Sequence, residues 1–186
     1  MLGEKMAALN EQVTWKSKWQ IEKWLDPTGE VASFLKKGGS IEEARQKFSS
    51  LYLGQEEFEG NVALNEGLQL LIDIITGLDT TSNKWDNANA RIGVGDGTTA
   101  EDPSQTGLQG TNKTFVGMDS GYPQRSGQTA KWRATFDGDT GNHSWQEFTV
   151  VNGSDDSATN LNRKVVDKGT KSAGETWTVT LEITFS

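Results

Sequence analysis

The clearest pattern in this chain lies at its carboxyl end, where apolar and polar residues alternate without a break. The apolar positions are Trp177, Val179, Leu181, Ile183 and Phe185, and the residues between them are Thr178, Thr180, Glu182 and Thr184. An alternation of this length predicts a β-strand with one buried face. Because a lone strand leaves its backbone groups unpaired, the chain must also supply partner strands and an apolar layer that covers this face.

Further strand patterns precede this one in the second half of the chain. They lie at residues 90–94, 114–118, 130–136, 144–151 and 161–166, and clusters of Gly, Asn and Asp separate them. About six strands at this spacing are typical of two-layered or closed antiparallel folds. We therefore predict a mainly β protein with an antiparallel β-sandwich or jelly-roll-like domain.

One helix is predicted to pack on this domain. Its apolar residues are Val62, Leu64, Leu68, Leu71, Ile72 and Ile75. Spacings of three and four place such residues on one face of a helix. Gly77 suits the left-handed position at a helix end. Gly67, inside the helix, is expected to mark close packing against a strand.

The first sixty residues show no single hydrophobic period. Ser40, with Glu43 three residues later, forms a capping-box pattern that predicts a short helix over residues 41–48. We therefore predict two parts: residues 1–60 form an irregular, partly helical N-terminal arm, and residues 61–186 hold the helix and the antiparallel β domain. Deletion of the arm is expected to leave a folded β domain.

The arm contains three of the seven tryptophans, with lysines between them. Aromatic anchors are typical of protein interfaces. The predicted partner-binding residues of the arm are therefore Trp15, Lys16, Lys18, Trp19, Ile21 and Trp24. The open alternative is that these tryptophans fold back onto the β domain.

The composition of the chain limits which classes of partner it can bind. The formal net charge is −8 and the sequence pI is about 4.7, which argues against binding to nucleic acid or to an anionic membrane surface. No stretch reaches the roughly 18 apolar residues of a membrane span, and residues 1–10 lack a signal-peptide pattern. We expect synthesis in a cytoplasm. The absence of cysteine excludes thiolate catalysis and Cys-bound zinc.

Residues suited to catalysis are sparse. The single histidine, His143, is interpreted as a turn residue, because a triad or a zinc site needs further partners. The glycine-rich run at residues 92–99 lacks the Lys-Ser/Thr of a phosphate-binding loop. Residues 137–142 space two carboxylates as a calcium loop does but misplace its glycine, so an ordinary hairpin turn is favoured. We predict a protein that is not an enzyme and that uses no metal or cofactor.

Several motifs resemble a family of small virion proteins of tailed bacteriophages. They occupy residues 65–68, 87–97, 107–110, 145–148, 161–165 and 177–181, and the resemblance covers about residues 61–186. It implies a role in assembly, either as a head decoration or cement protein or as an attachment domain of a tail fibre. The expected partners are the major capsid protein or other virion proteins, and the expected location is the virion.

Two alternatives stay open beside decoration of the head. One is a tail-fibre, neck or baseplate component. The other is a carbohydrate-binding module that stacks sugars on Tyr122 or Trp145. Val116, Met118 and Trp145 lack an obvious apolar partner layer in one chain, so we predict that they lie between subunits. On a particle with three-fold or six-fold positions, such contacts would close a trimer or another small ring.

Overall fold

The computed structural model describes residues 14–80 and 83–186. Over these residues two five-stranded antiparallel sheets face each other, so the predicted mainly β sandwich is confirmed. The strands are β1 (Trp15–Leu25), β2 (Tyr52–Glu59), β3 (Val62–Ala63), β4 (Arg91–Gly95), β5 (Lys113–Gly117), β6 (Gln124–Ser126), β7 (Thr129–Phe136), β8 (Glu147–Val151), β9 (Asn162–Val165) and β10 (Glu175–Phe185). The helices are α1 (Glu30–Lys36), α2 (Ile41–Lys47) and α3 (Asn65–Thr76).

The first sheet has the strand order β2-β1-β10-β7-β6, which places β1 beside the strand with the clearest sequence pattern. The two strands pair over their whole length, from Trp15 opposite Phe185 to Leu25 opposite Glu175. The prediction of an irregular arm is therefore wrong for residues 15–25. These residues form an inner strand of the sandwich.

The sequence pattern of β1 is obscured because its second half, residues 21–24, is covered on both faces. Trp19 and Ile21 point into the core between the two sheets. Trp24 lies on the opposite face, where α1 and α2 cover it with a second apolar cluster that includes Leu35 and Phe48. A strand that is covered on both sides loses the simple alternation that marks a half-buried strand.

The predicted boundary at residue 60 falls where the chain passes from one sheet to the other. β2 ends at Glu59, and β3 then pairs with β9 in the second sheet. The second sheet has the order β3-β9-β8-β4-β5. One apolar core joins residues from both sides of the boundary, so the described part of the predicted arm, residues 14–60, shares its core with the β domain. Because of this shared core, we now predict that the remaining chain does not fold without them.

The helix α3 packs on the second sheet through a glycine. A Cβ atom on Gly67 would lie 2.7 Å from both the carbonyl oxygen of Asn160 and the Cα atom of Leu161, so the helix closely approaches the segment that leads into β9. Gly77 ends the helix with a φ of 74°. Within the helix, Leu70 is buried against the core. Three residues of the predicted apolar face, Leu68, Ile72 and Ile75, are exposed.

The predicted capping box is confirmed at the start of α2. The Ser40 hydroxyl accepts a hydrogen bond from the Glu43 backbone N–H at 3.1 Å, and the Glu43 carboxylate accepts one from the Ser40 N–H at 3.2 Å. The hydrogen bonds that the carboxylate accepts from the Ser40 backbone N–H and from the Ser40 hydroxyl hold the pKa of Glu43 below its ordinary value. The helix is therefore fixed at its first turn and can cover the outer face of β1.

Candidate interaction surface

A hollow of about 500 Å³ lies at the start of β1. It forms because β2 pairs with β1 only as far as Lys18, which lies opposite Glu59. The Gly60 N–H still donates to the Ser17 carbonyl oxygen at 3.1 Å, and the chain then turns away toward the second sheet and leaves the first residues of β1 without a paired strand on that side. The lining residues are Trp15, Lys16, Ser17, Lys18, Glu59, Gly60, Asn61, Glu182 and Thr184.

The aromatic wall of the hollow is held in place from two directions. The Trp15 ring meets Phe185 edge-on, with ring centroids 5.2 Å apart. Its indole N–H donates a hydrogen bond to the Asn61 side-chain oxygen at 2.8 Å. A half-buried tryptophan fixed in this way offers a partner a preformed apolar contact at little entropic cost.

Two buried polar atoms beside this wall have no hydrogen-bond partner. They are the Ser17 hydroxyl oxygen and the Asn61 side-chain nitrogen. Ser17 itself is only 7% exposed. Buried polar groups are normally paired, so these two atoms mark a place where the packing beside the hollow is incomplete.

The charges around the hollow are mixed. Lys18 pairs with Glu57 at 3.0 Å, and the hydrogen bond from its ammonium raises the pKa of Lys18. Glu182 pairs with Lys131 at 2.5 Å. Among the described residues, Lys16 makes no ion pair and points to solvent. It is therefore the cation at this site that is available to an acidic group of a partner.

The six predicted partner-binding residues divide into two groups. Trp15, Lys16 and Lys18 line the hollow and are at least partly exposed. The other three lie inside the protein with no exposed surface, so their prediction as contact residues is wrong; they are Trp19, Ile21 and Trp24. For Trp19 the alternative that the tryptophans fold back onto the β domain holds, whereas Trp24 packs in the cluster under α1 and α2.

The predicted inter-subunit residues also divide. Trp145 has no exposed surface and packs edge-on against Trp177 and Phe136, with centroids 4.8 and 4.7 Å away. Its place between subunits is therefore wrong, and so is its proposed role in sugar stacking. Val116 and Met118 are half-buried and pack against the core of their own chain. Val116 lies on β5, the edge strand of the second sheet.

A buried ion pair that was not predicted from the sequence joins β8 to β9 in the second sheet. The Glu147 carboxylate and the Arg163 guanidinium are fully buried, with Nε and Oε2 2.9 Å apart. The backbone N–H groups of Gly97, Gln109 and Gly110 donate to the same carboxylate at 2.7–3.1 Å. This explains the glycine-rich run, because a Cβ atom on Gly97 would lie 2.5 Å from the carboxylate oxygen.

The loop at residues 137–142 spaces its carboxylates as a calcium loop does. In the structure this loop binds the ammonium group of Lys171 of the same chain. Lys171 donates to the Asp137 carbonyl at 2.7 Å and to the Asn142 side-chain oxygen at 2.8 Å. The side chain is almost fully buried, and burial lowers the pKa of Lys171 to about 8. These hydrogen bonds connect the turn to the segment before β10.

Replacement of Lys171 by Met should change how stability depends on pH. The folded-state pKa of about 8 lies below the ordinary lysine value, so between these two pKa values the unfolded chain binds more protons than the folded chain. The stability of the wild type should therefore rise relative to Lys171→Met as the pH increases from 8 to 10, by at most about 1.4 kcal/mol per pH unit. Urea unfolding at several pH values measures this difference. A constant difference would contradict it, and Lys37→Met controls for the removal of an exposed lysine.

His143 makes two hydrogen bonds in its turn. One ring nitrogen lies 2.8 Å from the Ser144 carbonyl oxygen and therefore donates to it, while the other lies 3.0 Å from the Thr114 hydroxyl.

Across residues 14–80 and 83–186, no group of three or more His, Asp or Glu side chains is arranged to hold a metal ion. No helix in the described part of the chain is long and apolar enough to cross a membrane.

The fold and the hollow define an antiparallel β-sandwich with a candidate surface for a partner. Comparison with protein-family models, with curated proteins and with solved structures finds no match for this chain.

Proposed function

We propose that this chain is a structural component of a bacteriophage particle and acts as a capsid decoration or cement protein that binds the head shell. The observation that carries the proposal is the hollow at the start of β1, where a fixed tryptophan adjoins an exposed lysine and two unpaired buried polar atoms. A partner segment that enters the hollow would contact the Trp15 ring. The resemblance of residues 61–186 to tailed-phage virion proteins supplies the class of partner.

The architecture supports a binding role that requires a rigid surface. β1 pairs with strands on both sides beyond Lys18, and its inner face is part of the main core. A contact residue on such a strand loses little conformational freedom when it binds. We therefore place the attachment surface around Trp15 and Lys16, with a trimer or small ring as the proposed arrangement on the particle.

The test measures binding to purified heads that lack this protein. Lys16→Glu should weaken binding about tenfold or more, because it replaces the available cation of the hollow by an anion. Lys37→Glu makes the same change in charge at an exposed position near the opposite end of β1, where Lys37 lines a different hollow, and should bind as the wild type does. Equal binding by all three proteins would contradict the proposed surface.

The same experiment separates the head from other parts of the particle. A decoration protein should saturate heads at hundreds of copies and raise their resistance to heat. If heads do not bind the protein while purified tails or baseplates bind a few copies, the proposal of decoration is wrong and the tail-fibre, neck or baseplate alternative replaces it.

Carbohydrate binding is a second candidate that the same hollow favours. Its volume suits one or two sugar rings, and Trp15 lies beside the neutral polar side chains of Ser17, Asn61 and Thr184. Tyr122 is less suitable than predicted, because the Arg133 guanidinium already lies 4.4 Å from the centre of its ring. Glycan-array binding that Trp15→Ala abolishes, without binding to particles, would favour this candidate over decoration.

A further inference from the structure

The first sheet ends in a long strand with an open side. Among the described strands, β2 pairs only with β1, so its other side is a free edge of eight residues. The other strands at the edges of the two sheets are shorter: β6 has three residues, β3 has two and β5 has five. Folded proteins usually keep such edges short or cover them, because an open edge is a template for another strand. The length of β2 therefore makes it the best candidate for strand addition.

The hydrogen bonds between β1 and β2 show which backbone groups face this edge. The Gly60 N–H donates to the Ser17 carbonyl oxygen at 3.1 Å, and the register of the two strands is unbroken over the preceding residues. In an antiparallel pair, alternate residues of one strand bond to the other strand. Gln55, Glu57 and Glu59 are the residues between those that bond to β1, so their N–H and C=O groups point outward. No residue in the described part of the chain bonds to these groups.

The side chains along the edge are acidic on one face and aromatic on the other. Glu57 and Glu59 lie on the outer face of the sheet and are exposed. Glu57 pairs with Lys18 at the surface, whereas Glu59 makes no ion pair with any described residue. Between them, Phe58 points inward and stacks on Trp19, with ring centroids 5.9 Å apart. An added strand therefore meets an aromatic ring flanked by two carboxylates.

We propose that β2 binds an extended segment of another protein as a sixth strand of the first sheet, antiparallel to β2 and with the side-chain order cationic, apolar, cationic. The cationic residues of the segment lie opposite Glu57 and Glu59, and the apolar residue between them lies opposite Phe58. Opposite charges and aromatic–aliphatic pairs at directly facing positions both stabilise antiparallel strands. Backbone hydrogen bonds supply affinity in this mode of binding, and the alternating side chains supply selectivity.

Charge favours this partner over a second copy of the chain. Two β2 strands that paired about a two-fold axis would bring the same acidic row against itself, and facing like charges are destabilising. Each chain also carries a net charge of −8, so two copies repel each other. A cationic segment carries neither penalty. The contact requires no phage particle, so it is tested separately from the proposed attachment surface around Trp15 and Lys16.

A short synthetic peptide of alternating lysine and valine, with blocked ends, tests the edge directly. In the proposed pairing its lysine backbone N–H groups face β2 and its valine N–H groups face away. The peptide should slow hydrogen exchange at the Gln55 and Glu57 backbone amides of the full-length protein by about tenfold or more. Backbone N-methylation of the lysines removes the donors that face β2 and should abolish this effect. The same modification of the valines is the matched control and should preserve it.

Charge reversal tests the selectivity of the edge. In about 0.15 M salt, where long-range effects are screened, Glu57→Lys with Glu59→Lys should weaken peptide binding about tenfold or more. Asp139→Lys with Asp155→Lys makes the same change in net charge at exposed loop positions outside β2 and should bind as the wild type does. All four positions are exposed, so the folded core is retained in both variants.

Four results would overturn the proposal. They are failure of the unmodified peptide to bind, equal binding by the two methylated peptides, equal weakening by the two double variants, and binding that leaves exchange at Gln55 and Glu57 unchanged. Slowed exchange at these amides in concentrated protein without peptide would identify a second copy as the occupant and would also overturn it.

Discussion

Deletion of residues 1–60 should abolish cooperative unfolding of the rest of the chain. The deletion removes β1, which pairs along the full length of β10 and contributes Trp19 and Ile21 to the main core. It leaves β10 as an open edge whose inner face has lost its neighbour, and unpaired apolar edges of this kind promote aggregation. Urea unfolding followed by far-UV and near-UV circular dichroism should show no sharp transition in the fragment.

A shorter deletion provides the control for this experiment. Removal of residues 1–13 ends before β1 and leaves every described strand intact. That protein should unfold in a single cooperative transition. A cooperative transition in the chain that lacks residues 1–60, with the near-UV signal of buried Trp132 and Trp177 preserved, would show that the second part folds alone after all.

Replacement of Arg163 by Met should destabilise the protein by about 3–5 kcal/mol, because it leaves the Glu147 carboxylate buried without its cation. The loss extends beyond the pair. Arg163 also donates at 2.9 Å to the carbonyl oxygen of Thr99 and to the side-chain oxygen of Gln105, which fixes the loop after β4. Equilibrium unfolding in urea measures the change.

Two further variants separate the buried pair from the general effect of losing a cation. Lys164→Met removes the charge of the next residue, whose ammonium forms a long, partly exposed ion pair with Glu101 at 3.8 Å, and should cost less than about 1 kcal/mol. The double variant Glu147→Gln with Arg163→Met should be less destabilised than the sum of its single variants. Similar losses in Arg163→Met and Lys164→Met would contradict the role assigned to the ion pair.

Local sequence patterns were sufficient where a structure depends on neighbouring residues. The alternation at residues 177–185 predicts β10, and Ser40 with Glu43 predicts the cap of α2. Gly77 predicts the end of α3 in the same way. Each of these features depends on contacts within one strand or one helical turn, so the residue types at fixed spacings carry enough information.

Part of the candidate surface could also be predicted. Tryptophan with neighbouring lysines near the amino end indicated a contact region, and Trp15, Lys16 and Lys18 do line the hollow. The buried tryptophans of the same segment could not be distinguished from them by sequence. Whether an aromatic residue on β1 is covered depends on where β2 stops pairing, at Lys18 opposite Glu59, and on where α1 and α2 pack.

The sequence by itself determined that the chain forms antiparallel strands, a capped helix and glycine turns, because these structures arise from residues close together in the chain. The tertiary structure decided which surfaces remain exposed. Glu147 meets Gly97 across 50 residues, and Lys171 reaches Asp137 across 34. Such contacts depend on strand order and register in the folded sheets, and the hydrophobic period of a single segment contains no record of either.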